Sequence, residues 1–213
     1  MKNMIVLLWW VINLAKLFFR YGAMNCGKST ALMQVAHNYE ERGLKILVLK
    51  PKVDTKADDK ISSRIGLERK VDHLIVDNED LYEYILQNKG INCVIVDEAQ
   101  FLNPKQVEEL LQVAVLEDIP VICYGLRTDF QTKGFPGATR LLELAHSLEE
   151  MKTICRCGSK AMFNARKVND TFVFDGEQVA IDGKDLVTYE SLCCKCYYEE
   201  RAKSLTKKKN FRI

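Results

Sequence analysis

Nine consecutive residues, Gly22-Ala23-Met24-Asn25-Cys26-Gly27-Lys28-Ser29-Thr30, satisfy the pattern G-x-x-x-x-G-K-[ST] in full. The chemistry served by that pattern is capture of a nucleoside triphosphate. Glycines let main-chain N–H groups close around phosphate oxygens, Lys28 brings a point charge to the terminal phosphates, and the Ser29 hydroxyl is a ligand for Mg²⁺. A second constellation, Cys93-Val94-Ile95-Val96-Asp97-Glu98, is an apolar run that ends in two carboxylates. Nucleotide enzymes hold Mg²⁺ beside the phosphate loop in this way, with Asp97 as the metal partner. Strand alternation sends Glu98 to the opposite side, toward a second substrate, where it suits a general base. Such a base takes the proton of an attacking hydroxyl as the γ-phosphoryl moves. With water as the acceptor the same pair makes an ATPase, so the acids alone do not choose between kinase and hydrolase.

The third constellation is made of thiols. Cys155-Arg156-Cys157 and Cys193-Cys194-Lys195-Cys196 form two close groups, spaced for tetrahedral structural Zn²⁺. Either Cys193 or Cys194 pairs with Cys196. His37, His73 and His146 lie outside both groups and read as surface or satisfied helix residues. Four thiolates close the coordination sphere, so the metal's expected task is to anchor both ends of the segment from Gly158 to Leu192 as a tethered lid. A lid over a small acceptor excludes water and spares ATP.

These groups need elements to position them. Lys16 to Tyr21 reads as a strand feeding the glycine loop, and Ala31, Leu32, Val35, Ala36 and Tyr39 continue it at helical spacing. Lys45 to Lys50 and Asn92 to Val96 read as buried strands, residues 79–89 and Pro104 to Val115 as helices, and Val121 to Tyr124 as a further strand. Ala138 to Glu150 reads as one amphipathic helix carrying Leu141, Leu142, Leu144, Ala145 and Leu148. Asp54 to Lys60 reads as an exposed loop. The alternation implies an α/β fold, a parallel sheet flanked by helices. From Met151 the pattern changes to short strands, at Thr171 to Phe174 and Gln178 to Ile181, among cysteines and glycines. The expected organisation is therefore an N-terminal extension over residues 1–14, a nucleotide-binding domain over 15–150, a small zinc-binding domain over 151–205, and a basic tail over 206–213.

Composition bounds the rest. The chain has 213 residues, 47% of them hydrophobic and 28% charged, with a net charge of +2, which gives no electrostatic case for a nucleic-acid partner. Lys207-Lys208-Lys209 reads as a solvated tail. Five of the eight cysteines fall between Cys155 and Cys196 in metal-ligand spacing, and the loop needs a cytosolic nucleotide pool, so reduced thiols and a cytoplasmic protein are expected. Lys2 and the apolar run from Met4 to Ile12 superficially resemble a signal peptide, but the run is too short to span a bilayer and no convincing cleavage site follows. A start at Leu14, with residues 1–13 a gene-calling artefact, is a further reading.

The segments GAMNCGKST, SSRIGL, VDEAQF, YGLRTDF, LLELAHSLEEMKTICRCG and YESLCCKCY follow one another in an order that strongly resembles the thymidine kinases of the type shared by bacteria and the animal cytosol. That resemblance runs from about Ala15 to Tyr198 and implies a P-loop, RecA-like domain with a small C-terminal zinc-binding domain. It implies transfer of the γ-phosphoryl of ATP to the 5′-hydroxyl of thymidine, with Mg²⁺ as cofactor, in deoxynucleotide supply for DNA synthesis. It makes Gly22 to Ser29 the ATP-binding loop, Asp97, Glu98, Ala99 and Gln100 the second nucleotide segment, and Glu98 the catalytic base. Val179, Ala180, Ile181, Asp182 and Gly183 match part of a loop that lassoes thymidine through main-chain hydrogen bonds. Met24, Phe101, Leu126 and Tyr189 are implied to line the thymine pocket, consistent with a planar base that wants aromatic faces and a methyl that wants an apolar niche. For the metal, the resemblance favours Cys155, Cys157, Cys193 and Cys196, leaving Cys194 spare. It also implies a homotetramer inhibited by thymidine triphosphate, with deoxyuridine a possible second acceptor. The extension over residues 1–14 has no counterpart in the family pattern. One expectation goes beyond the resemblance: Cys26, between a helix N-terminus and Lys28, is a reactive thiol whose modification blocks ATP.

Overall fold

The computed structural model describes residues 15–52, 59–178 and 186–210. In chain order the elements are β1 (Leu17–Tyr21), α1 (Lys28–Glu41), β2 (Ile46–Pro51), the hairpin β3 (Lys60–Ser62) and β4 (Glu68–Lys70), β5 (His73–Ile75) and α2 (Leu81–Gln87). Next come β6 (Cys93–Val96), a 3-10 turn (Ala99–Phe101), α3 (Pro104–Leu116), β7 (Val121–Gly125), α4 (Pro136–Leu144) and β8 (Ser147–Glu150). The chain continues through β9 (Thr153–Ile154), β10 (Lys160–Ala161), β11 (Phe163–Val168), β12 (Thr171–Val173), β13 (Val187–Leu192) and α5 (Cys194–Asn210).

One six-stranded sheet runs β5-β2-β6-β7-β1-β8, and every pairing in it is parallel. Alternation along the central strands sorts their side chains between two cores. Leu47, Leu49, Val94, Val96, Val121 and Cys123 face α2, α3 and α4. Ile46, Val48, Cys93, Ile95, Ile122 and Tyr124 face α1 and the β3–β4 hairpin. Burial on both faces explains why these strands are continuously apolar, and each such side chain contributes about 1.5–3 kcal/mol of transfer free energy. Helix starts are written locally. Asn103 and Gln106 form a reciprocal capping box ahead of Pro104, and the Asp80 carboxylate accepts from Glu83 N–H at the head of α2.

Residues 138–150 depart from expectation. The single helix from Ala138 to Glu150 is instead α4, ending at Leu144, followed by the separate strand β8. Ala145 already has extended geometry, and β8 pairs with β1 from Phe18↔Ser147 to Tyr21↔Glu150. His146 joins the edge twice: its N–H donates to Leu17 O at 2.9 Å, and its Nδ1 accepts from Leu17 N–H at 3.1 Å. A free edge on β1 supplies a ladder that outweighs the weak helical preference of a segment with no Gly or Pro stop. Leu148, assigned to the helix's apolar side, is 48% exposed on the strand.

Beyond β8 a three-stranded antiparallel sheet, β12-β11-β13, packs with α5 around Ala161, Ala165, Phe174, Leu192 and Tyr197. The strand expected at Gln178 to Ile181 lies, from residue 179 on, outside the described residues, as does most of the loop expected at Asp54 to Lys60. Among the described residues no helix is long and apolar enough to cross a membrane.

Candidate functional site

The carboxyl ends of β1, β6 and β7 converge, which is where ligands bind in open parallel sheets. From the end of β1 the chain turns through residues 22–27 into α1. Asn25 (φ 65°) and Gly27 (φ 85°) adopt left-handed geometry, the bend that aims successive N–H groups inward. Gly22 is required by proximity instead: a Cβ there would lie 2.3 Å from Met151 O and 2.6 Å from Cys26 Sγ. Lys28 Nζ donates to Gly22 O at 3.3 Å and Ala23 O at 3.1 Å, and lies 3.6 Å from Cys26 Sγ. Ser29 and Thr30 are half-buried on the first turn of α1.

At the end of β6, Asp97 is 4% exposed. Burial, and then the neighbouring Glu98 charge, push its carboxyl up, to about 7, against the pull of Lys50 and Lys28. Glu98 is half-buried and leaves in a different direction for a reason other than strand alternation. Its backbone is left-handed (φ 50°, ψ 36°), so the strand has already ended and the chain reverses into the 3-10 turn. Gln100, 1% exposed, spans the site: its Nε2 donates to Glu98 Oε2 at 2.5 Å, and its Oε1 accepts from Leu126 N–H at 3.0 Å. Gly125 leaves room for it, since a Cβ there would meet Gln100 Oε1 at 2.7 Å. Ala99 is buried in the same turn. Phe101, packed edge-on to Phe135 at 5.4 Å, and Leu126 both border the core under α3 and α4.

A second group of contacts comes from the small sheet. Met24 N–H donates to Asn164 Oδ1 at 2.7 Å, and Ser191 Oγ donates to Met24 O at 2.5 Å. Arg166, 5% exposed, lies over the Phe130 ring at 3.6 Å and donates from Nε to Tyr189 OH at 3.0 Å. Its two remaining nitrogens donate to Glu177 O and Gln178 O at 2.8 and 2.9 Å. Gln178 Nε2 also donates to Asp129 Oδ2 at 3.2 Å. Val179 to Gly183, the stretch assigned to thymidine by resemblance, lie outside the described residues.

Nothing in the sequence alone gives a role to Asn164, Arg166, Ser191, Phe130 or Asp129. Asp129 and Phe130 stand inside YGLRTDF, but nothing in that segment says that the carboxylate caps its own loop, accepting from Gln131 and Lys133 N–H at 2.8 Å each. The polar residues of β11 become legible only once its register with β13 is known.

The thiols converge as well. Sγ atoms of Cys155, Cys157, Cys193 and Cys196 all lie within 4.8 Å of one another. Cys194 points elsewhere, its exposed thiol 3.8 Å from Met162 Sδ. The Ser159 hydroxyl and N–H beside Cys157 hold its thiol down, to about 6, which favours the thiolate that a metal needs. Cys93 and Cys123 are buried in the sheet, and burial pushes both thiols up, Cys93 to about 11. They are core residues.

A family model described as thymidine kinase matches residues 15–197, nearly the whole described chain. The chain belongs to the thymidine kinase family. Its relatives in that family include thymidine kinases of Enterobacteria phage T4, 44% identical over 200 residues covering 92% of this chain and 99% of the relative, and of Ruegeria pomeroyi, 44% identical over 191 residues covering 87% and 95%. That of Legionella pneumophila strain Paris is 45% identical over 186 residues, 84% of this chain and 88% of the relative. Membership of the thymidine kinase family covers both the parallel sheet and the small sheet with its thiols, so the phosphate loop and the residues that grip Met24 belong to one matched unit.

Proposed function

We propose that this chain transfers the γ-phosphoryl of ATP to the 5′-hydroxyl of thymidine, giving thymidine monophosphate and ADP. The observation that carries the reading is the placement of Glu98: a half-buried carboxylate held by Gln100 just beyond the end of β6, next to the buried Asp97, in the sheet whose β1 feeds the phosphate loop. Glu98 Oε takes the proton of the 5′-hydroxyl. The hydroxyl oxygen then bonds to the γ-phosphorus as the bond to the β,γ-bridging oxygen breaks, and ADP leaves with that oxygen's electron pair. Loop N–H groups and the Lys28 ammonium neutralise the charge on the transferred group.

Asp97 and Ser29 would hold Mg²⁺, which supplies charge neutralisation across the β- and γ-phosphates. The raised Asp97 carboxyl suits that role, because a buried acid next to a second acid gains most from a cation. Cys155, Cys157, Cys193 and Cys196 would hold Zn²⁺. Zinc–sulfur bonds of about 2.3 Å in a tetrahedron put sulfurs roughly 3.8 Å apart, and the 3.6 Å between Cys157 and Cys193 Sγ fits that spacing. Met24, Phe101, Leu126 and Tyr189 would enclose the base, and Val179 to Gly183 its polar edge. The change from one parallel sheet to a small antiparallel sheet beyond β8 supports reading the chain as a donor domain followed by an acceptor domain. Family resemblance further supports a cytoplasmic homotetramer inhibited by thymidine triphosphate, which light scattering and an inhibition curve would check.

The test is ATP consumption by purified protein in Mg²⁺ buffer, with and without thymidine or deoxyuridine, and with the nucleotide product identified. Thymidine-dependent turnover yielding the monophosphate is expected. Turnover indifferent to nucleoside would overturn the kinase in favour of an ATPase.

A further inference from the structure

β11 and β13 pair in a register that sets Asn164 opposite Ser191 and Arg166 opposite Tyr189. Residues two apart on a strand share a face, so these four side chains stand on one face of the same ribbon. The two cross-strand pairs do different things. Asn164 and Ser191 grip the two polar groups of a single phosphate-loop residue, Met24 N–H at 2.7 Å and Met24 O at 2.5 Å. Arg166 and Tyr189 bond to each other, and Arg166 holds Glu177 O and Gln178 O at the entrance to the stretch assigned to thymidine. Asn164, Arg166 and Ser191 are buried, whereas Tyr189 is half-buried.

We propose that Asn164 and Ser191 are positioning residues for the phosphoryl-donor loop, and that the β11–β13 ribbon couples acceptor binding to donor binding through Met24. The phosphate loop needs a fixed backbone for its N–H groups to converge on phosphate, and Met24 sits between Gly22 and Asn25, the tightest approach and the first left-handed residue of that backbone. A free loop residue would sample other dihedrals. Two opposed bonds to a stiff sheet remove that freedom before any phosphate arrives. The same two strands carry Arg166 and Tyr189 at one end and Asn164 and Ser191 at the other, so a nucleoside that binds against the first pair biases the ribbon that holds Met24, and by linkage the triphosphate biases nucleoside binding equally.

The identity of the acceptor rests on the kinase reading above, whereas the effect on the donor loop does not. The experiment is calorimetric titration of the full chain with a non-hydrolysable ATP analogue and Mg²⁺, with and without saturating thymidine, for the native protein, Ser191→Ala, and Asn164→Ala/Ser191→Ala. Analogue affinity should fall by roughly three- to tenfold for each bond removed. Affinity for thymidine alone should change less than the analogue's, and the factor by which each ligand tightens the other should drop toward one. In turnover the loss should appear chiefly as a raised KM for ATP. Ser191→Thr, which keeps the hydroxyl, should restore native values, a rescue that general loss of packing would not produce.

Native analogue affinity in Ser191→Ala, or a coupling factor unchanged in the double variant, overturns the proposal. Should Asn164→Ala fail to fold, Ser191→Ala and Ser191→Thr decide it. A native chain that binds the analogue and ignores thymidine overturns the kinase reading and the coupling; the clamp is then judged by the variants' analogue affinity, where an unchanged value overturns it as well.

Discussion

Glu98 and Asp97 are neighbours with opposite demands. Glu98→Gln keeps the hydrogen-bonding shape of the side chain and removes the proton acceptor, so kcat should drop by about 10²- to 10⁴-fold with little change in ATP affinity. Steady-state kinetics with thymidine and ATP check this. Asp97 carries the cost of being charged in a buried place. Its folded carboxyl lies above the ordinary value, so the protonated form is the one folding favours; that stability is complete at low pH and is lost as pH rises through about 7. Asp97→Asn should therefore raise the thermal midpoint at pH 8 in Mg²⁺-free buffer, and make little difference near pH 4, while abolishing most activity. A midpoint at pH 8 equal to or below the native one would show that burial does not strain this acid. Cys26 shares the loop with Lys28, whose ammonium is 3.6 Å from its sulfur. Iodoacetamide should inactivate the native chain, ATP should protect it, and Cys26→Ser should remain active and insensitive; sensitivity unchanged in that variant sinks the idea.

Among the elements, α4 meets the 3-10 turn more closely than side chains allow. A Cβ at Gly137 would lie 2.5 Å from Leu102 O and 2.7 Å from Ala99 O, both backbone atoms. Alanine in a helix gains about 1 kcal/mol over glycine, whereas overpacking costs about 1–3 kcal/mol, so the clash should win. Gly137→Ala should lower the thermal midpoint by several degrees and, because the turn carries Glu98 and Gln100, reduce kcat as well. A variant more stable than the native chain would mean that the turn yields freely. The same turn shows where strand logic stops being useful. Alternation predicts that two successive acids part to opposite faces, but Glu98 is left-handed, and what directs it is the reversal into Ala99–Phe101 together with the Gln100 amide. β8 teaches a related lesson, since Ser147–Glu150 has no strand pattern of its own and is a strand because β1 offers it an edge.

At the scale of the molecule, the thiol cluster closes the base of the ribbon whose face grips Met24, because Cys193 directly follows β13. Removing a bound metal with a strong chelator should lower the stability of the small sheet first, visible as faster hydrogen exchange in β11 and β13 than in β6 and β7, and should weaken ATP binding without touching any loop residue. Uniform exchange across both sheets would contradict this.

The sequence by itself determined the alternation of the central strands β1, β2, β6 and β7 with helices, the parallel class of their sheet, the phosphate loop, the acid pair and the two groups of cysteines. Those are local facts: a loop that binds phosphate needs glycines at fixed offsets, and a strand buried on both faces must be continuously apolar. The family resemblance already favoured Cys193 over Cys194, and the cluster agrees, but tertiary structure alone decided where α4 gives way to β8 and that Asn164 stands opposite Ser191 over Met24. Both depend on register or on a free edge: β8 lies on β1, and Asn164 and Ser191 reach Met24, across more than a hundred positions of sequence, and no local pattern of residue types encodes such a contact.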